Sequence, residues 1–267
     1  MERTTEVKVQ EIYQKMLLEI REELEKYEDA EGMLKDYQKT RVGELASIED
    51  EVTRIIEENY PEVGEKIQGF GKRIYEETYM HPYKKVLKDY GKSLVAPTLV
   101  SGVIERVVDQ PVAGMTLSQR LYRERERLAK KASVEIAIGK AQGKSSDQIA
   151  MAISKDAGIS YRNAIRITRT EGTRIAGKAT HDSATDINTL GKDFGVGAKK
   201  KWISAKDSRV RATHSSLHGM YADADGYFTS SSGARALHPS GFGIAEEDIN
   251  CRCAIVNAIT IDGKEIS

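Results

Sequence analysis

Lys199-Lys200-Lys201-Trp202, Asp207-Ser208-Arg209-Val210-Arg211-Ala212-Thr213-His214, Leu217-His218-Gly219 and Asn250-Cys251-Arg252-Cys253 are the stretches on which the reading of this 267-residue chain turns. Upstream of them the pattern is helical; from Gly191 onward it changes to short strands and turns. Both cysteines and three of the five histidines lie here, so this is where chemistry or a structural staple belongs. Lys200 to Ala205 reads as a strand, and Asp207 as the cap of a short helix running to His218, with Gly219 as its stop. Asp223-Ala224-Asp225-Gly226 reads as a hairpin turn rather than a calcium loop, because the third acidic ligand and the closing Glu are missing. Ser230 to Gly243 reads as a flexible loop. Cys251 to Ile259 and Lys264 to Ile266 flank Asp262-Gly263, a two-residue hairpin signal.

Ahead of this module, the helices announce themselves by period. Val9, Ile12, Met16, Leu17, Ile20, Leu24 and Tyr27 recur at three- and four-residue steps, the mark of an amphipathic helix from Thr5 to about Gln38. A second helix is expected from about Glu44 to Asn59, stopped by Pro61, and a third from Glu62 to Tyr90, interrupted at His81-Pro82. Gly91 to Gly114 reads as a connector. Leu117 to about Lys140 forms a helix carrying Arg120, Arg123, Arg125, Arg127, Lys130 and Lys131. Ser145 with Gln148 makes a capping box for a short helix ended by Gly158. Ser160 caps the next, whose polar side shows Arg162, Arg166, Arg169 and Arg174. The fold class is therefore α+β: a mostly α-helical N-terminal platform and a small C-terminal α+β module of short antiparallel strands. The expected divisions are 1–115 (helical arm and connector, for partner docking), 116–190 (basic helical region) and 191–267 (the α+β module).

Hydrophobic residues make up 39% of the chain and charged ones 31%, which fits a soluble fold and excludes a disordered one. No apolar run is long enough to span a bilayer, so no membrane partner is expected. Formal charge is zero overall, yet it is −8 over residues 1–60, +12 over 61–220 and −4 over 221–267. An acidic arm ahead of a basic body suggests one surface for a protein and another for a polyanion.

On a helix beginning at Asp207, His214 and His218 share a face; on a strand beginning at Cys251, Cys251 and Cys253 share a side. Two imidazoles and two thiolates could so converge on a structural zinc ion, with two buried cysteines beside hydrogen-bonded histidines as the alternative. A catalytic arrangement would instead use His214 as a base oriented by Asp207, with Arg209 or Arg211 stabilising an anion.

The order Arg169-Thr170-Glu171, Lys201-Trp202, Asp207-x-Arg209-x-x-x-x-His214, Leu217-His218-Gly219 and Asn250-Cys251-Arg252-Cys253 resembles the phage head morphogenesis family, the Mu F-like minor head proteins, over roughly Leu117 to Ile259. Many members carry Cys-x-x-Cys after the Asp-x-Arg motif. Here Arg211 and His214 stand at those two positions, leaving His218 or His238 for a fourth metal contact. The resemblance implies a non-enzymatic minor structural protein of a tailed-phage head or prophage, inside the virion after assembly in the host cytoplasm. It implies association with the portal protein and packaged double-stranded DNA, and extends to major capsid or scaffolding protein. The DNA would be bound without sequence choice by Arg123, Arg127, Arg162, Arg166, Arg169, Arg174, Lys199, Lys200 and Lys201. The apolar stripe of the first helix, Val9, Ile12, Met16, Ile20 and Leu24, is expected to dock on the portal or a neighbouring capsid protein. The alternative function is a nucleic-acid-processing or toxin-like enzyme using His214.

Overall fold

The computed structural model describes residues 2–27, 42–90, 96–99 and 101–266. The chain is α+β, as its sequence pattern requires. Its helices are α1 (Glu2–Glu25), α2 (Val42–Tyr90), α3 (Ser101–Val108), α4 (Leu117–Ala141), α5 (Ser146–Leu190), and the single turns α6 (Ala212–Ser215) and α7 (Ala245–Asp248). The strands are β1 (Val196–Ile203), β2 (Phe228–Thr229), β3 (Arg235–Ala236), β4 (Ala254–Ile261) and β5 (Lys264–Ile266). No helix among the described residues is long and apolar enough to cross a membrane.

The chain divides into two compact units, one of residues up to Ile67 with Ser118–Arg166, the other of Gln68–Leu117 with Ile167 onward. These divisions fall at different places from those expected at 115 and 190, because the two long helices each contribute to both units.

In the first unit the stripe Val9, Ile12, Met16, Ile20 and Leu24 is buried, as are Val52, Ile56 and Val63 of α2 and Ile149 and Ile153 of α5. The Tyr13 hydroxyl lies 2.8 Å from the Tyr60 hydroxyl and 3.1 Å from that of Ser160, tying α1 to α2 and α5. The stripe expected to dock on a portal is thus spent inside the chain. Proline did not stop the helix either. Positions 48, 52, 55, 56, 60, 63 and 67 keep one buried face across Pro61. A proline inside a helix costs about 3 kcal/mol, and continuous burial of several Ile and Val side chains at roughly 1.5–3 kcal/mol each outweighs it. The same reasoning covers Pro82 and Gly158. Ser160, expected as a cap, is a fully buried interior residue bonded to two tyrosines. The capping box at Ser145 does form: the Ser145 amide donates to Gln148 Oε1 and the Gln148 amide to Ser145 Oγ. At Gly139 a Cβ would meet Ile149 at 2.3 Å, so only glycine lets α4 and α5 approach this closely.

In the second unit, Tyr75, Tyr79, Tyr83, Val107 and Val108 pack with Ile175, Ala179 and Ile187 of α5 and with Val196, Ala198 and Ile259 of the sheet. The sheet order is β1-β4-β5, antiparallel throughout, with Trp202 opposite Ile255 and Lys200 opposite Asn257. The Asp262-Gly263 hairpin forms as expected. A second cluster gathers Trp202, Leu217, Phe228, Cys251, Cys253 and Ile255. Ser230 to Gly243 is no flexible loop: it contains β3, and Ser230, His238 and Ser240 are buried. His238 occupies the space that Gly177 leaves by lacking a side chain, since a Cβ there would meet His238 Cβ at 2.9 Å.

Candidate functional site

The residues singled out by sequence meet around His214. The turn α6 carries it, and the helix expected to reach His218 ends at Ser215. Asp207 instead closes a tight turn, its Oδ1 accepting the Arg209 amide, and its carboxylate pairs bidentately with the Arg252 guanidinium. That pairing holds the Asp207 carboxyl at about 2. Asp207 is thereby committed to Arg252, so the catalytic alternative loses the carboxylate that was to orient His214.

Asn250 adopts a left-handed backbone with φ 58, a conformation its short polar side chain tolerates, and turns the chain into Cys251. Two threonines of α5 fix the turn. Thr170 Oγ1 accepts the Asn250 amide at 2.9 Å, and Thr173 Oγ1 donates to the Cys251 carbonyl at 3.0 Å. The Arg169-Thr170-Glu171 and Asn250-Cys251 motifs are therefore one contact, 80 residues apart in sequence. The cysteines precede β4 rather than lying on it, yet both sulfurs face His214 Nδ1, Cys251 Sγ at 3.5 Å and Cys253 Sγ at 3.7 Å. The ligand atoms of His214, Cys251 and Cys253 all lie within 4.8 Å of one another, so these three can hold a metal.

His218 is not among them. Its Nδ1 takes the Ser204 amide at 3.1 Å, and with the helix one turn shorter than expected it points elsewhere. His238 is also apart, with Nδ1 against the Pro239 carbonyl and its pKa lowered to about 4 by burial. Arg211 donates to the Ile249 carbonyl. What sequence reasoning missed is Glu247. Its Oε2 lies 2.8 Å from His214 Nε2, and its carboxylate takes hydrogen bonds from Thr213 and Ser232. Burial would raise the Glu247 pKa, but those two hydrogen bonds and His214 prevail and lower it. The acidic run Glu246-Glu247-Asp248, separated from Asn250-Cys251 by Ile249, was the available signal. Asp248 accepts the Phe242 and Gly243 amides and shapes the loop beside the cluster. Trp202 and Phe242 enclose the imidazole, with ring centroids 5.6 and 5.3 Å from it, and His214 is 1% exposed.

The basic residues separate into two groups. Arg123, Arg162, Arg166, Arg169 and Lys199 are exposed, and Arg127 and Lys201 half-buried. Arg174 and Lys200 are buried and face no solvent polyanion. Arg174 pairs with Glu171 three residues before it at 2.7 Å and donates to the Val108 carbonyl. Lys200 sits on the inward side of β1 because strand side chains alternate and Trp202, two residues on, is fully buried. Its ammonium donates to the Gly226 and Leu237 carbonyls and lies 2.8 Å from His181 Nδ1. Burial lowers the Lys200 pKa to about 8.

A sequence profile described as Phage Mu protein F like protein matches residues 130–256, the stretch that carries these motifs. Those residues belong to the Mu F-like family. The chain is 31% identical over 174 residues to Minor head protein GP7 of Bacillus phage SPP1, covering 65% of this chain and 54% of that one. It is 33% identical over 248 residues to an NAD(+)--arginine ADP-ribosyltransferase, EFV, of Enterococcus faecalis, covering 93% of this chain and 50% of the relative. The chain thus spans about half the length of the curated relatives it matches. No solved structure matches it. The Mu F-like match includes α5, β1, the His214 turn and the cysteines, so the family's shared stretch is also the one these polar ties hold together.

Proposed function

We propose that this Mu F-like chain is a minor structural protein of a tailed-phage or prophage head, bound to the portal and the packaged DNA, where it supports head assembly and genome delivery. The observation that carries this reading is the 31% identity to a minor head protein across the Mu F-like stretch. The buried His214 supports it: an imidazole walled in by Trp202, Phe242 and the two cysteines gives a substrate no approach to either ring nitrogen. With the α1 stripe internal, the apolar side chains left for a protein partner on the first unit include Leu18 and Met151, 57% and 63% exposed beside one groove. Disrupting the gene in its phage or prophage tests the reading. Particles from the intact phage contain the protein in the head fraction, and its loss lowers the yield of infectious particles. Normal yield, with the protein absent from purified heads, rejects the assignment.

DNA binding is the finer part of the proposal, and it now rests on Arg123, Arg162, Arg166, Arg169 and Lys199. Replacing a phosphate-binding arginine by alanine makes the slope of log affinity against log salt shallower by about 0.9. Binding that ignores salt, or is unchanged in the Arg162→Ala, Arg166→Ala, Arg169→Ala triple variant, refutes it.

A second reading is favoured by the relative named as an arginine ADP-ribosyltransferase, which matches most of this chain. Incubation with NAD(+) and arginine separates the two: turnover establishes an enzyme, and its absence leaves the structural role.

A further inference from the structure

We propose that His214 Nδ1 and the thiolates of Cys251 and Cys253 bind one zinc ion, with Glu247 as the carboxylate that orients the His214 ring. A neutral imidazole offers one lone pair at its unprotonated nitrogen. Two sulfurs face that one nitrogen at 3.5 and 3.7 Å, and its lone pair can take a proton from only one of the two thiols. A metal ion serves all three donors at once. Zinc bonds of about 2.3 Å to sulfur and 2.0–2.1 Å to nitrogen at tetrahedral angles place S and N about 3.5 Å apart, which is the spacing seen. Two thiolates neutralise Zn²⁺, which suits a site enclosed by Trp202 and Phe242.

The far side of the imidazole agrees. Histidines that bind metals turn their other ring nitrogen to a carboxylate or carbonyl, which sets the tautomer and raises the basicity of the ligand nitrogen. Glu247 Oε2 stands 2.8 Å from His214 Nε2, and Glu247 is itself held by Thr213, the residue beside His214, and by Ser232. An unpaired surface glutamate would not be tied at both oxygens. The ligand set differs from the two-histidine, two-cysteine cage expected from sequence: His218 is committed to the Ser204 amide and Arg211 to the Ile249 carbonyl. Three protein ligands leave the fourth corner of the tetrahedron to water or another small donor.

The test is a titration of the full chain, stripped with chelator under reducing conditions, with Co²⁺ and then Zn²⁺. The expected result is a thiolate-to-cobalt charge-transfer band that saturates at one Co²⁺ per chain and is erased by Zn²⁺, with a rise in melting temperature. Cys253→Ser weakens or removes the band, Glu247→Gln lowers the apparent affinity about 10- to 100-fold while keeping it, and His218→Ala leaves stoichiometry and band unchanged. The wild-type titration stands even if a variant fails to fold. No band and no thermal shift in the wild-type chain overturns the site; loss of the band in a folded His218→Ala variant overturns the ligand set.

Discussion

The first unit and the module after Leu190 are held together in different ways. In the first, long helices bury periodic aliphatic stripes, and the polar contacts between them run from side chain to side chain, as Tyr13 meets Tyr60 and Ser160 and Asn59 meets Glu19. In the second, elements of two to eight residues are joined by single polar side chains that reach backbone groups. Lys200 holds Gly226 and Leu237, Asn188 holds Ala198 at both amide and carbonyl, Asn257 holds the Thr180 carbonyl, and Asp248 holds two loop amides. A stripe spreads stability over many interchangeable side chains; a polar tie concentrates it in one residue of fixed geometry. That difference fits a sequence whose residues after Leu190 stand out as short motifs of polar residues, cysteines and a tryptophan, whereas the long helices offer mainly a periodicity.

Removing one anchor from each region should separate the two modes of stabilisation most strongly. Trp202→Ala is expected to cost about 3–5 kcal/mol, since the indole is fully buried against Phe228, Phe242 and His214. Amide exchange should accelerate through β1 and β4 and much less in α4. Ile56→Ala in the first unit is expected to cost about 2–5 kcal/mol and to show the opposite distribution.

Acid comes next in size. Burial holds the imidazoles of His181 and His238 down to about 4, with the Lys200 charge adding to the effect at His181. Above the unfolded value of 6.5 both are neutral in either state. Between 6.5 and 4 the unfolded chain takes up protons that the folded chain refuses, so stability falls as the pH falls through that window. For the deeply buried His238 the loss reaches about 3 kcal/mol. Lowering the pH from about 7 to about 4.5 should therefore loosen the second unit first, and tryptophan fluorescence, reporting Trp202 alone, should move before helical circular dichroism. Coincident transitions would show that the two regions are one cooperative block.

The smallest effect is expected at Asn188. It supplies β1 with the hydrogen bonds that a neighbouring strand would make, accepting the Ala198 amide at 2.8 Å and donating to its carbonyl at 2.9 Å. Asn188→Ala leaves both groups without that partner and should lower stability by about 1–2 kcal/mol, read by chemical denaturation. A drop under a few tenths would mean that water replaces the tie.

The α+β class, the presence of α1, α4 and the capped start of α5, the Asp262-Gly263 hairpin and the residue types that gather near the C-terminus are all legible in the sequence. These features rest on local chemistry: a 3.6-residue period, a capping box, a turn that needs positive φ. Only the tertiary structure decided that α2 runs through Pro61 and α5 through Gly158, because the cost of a breaker is local while the burial that offsets it comes from neighbouring helices. Only it decided that Arg174 and Lys200 turn inward, although Glu171 and Trp202 at helix and strand spacing already hinted at it. His214 meeting Cys251 and Cys253, His218 leaving them and Glu247 joining belong to the same class. The side chains that converge there come from segments more than 30 residues apart, and the loops that bring them together have no period to read.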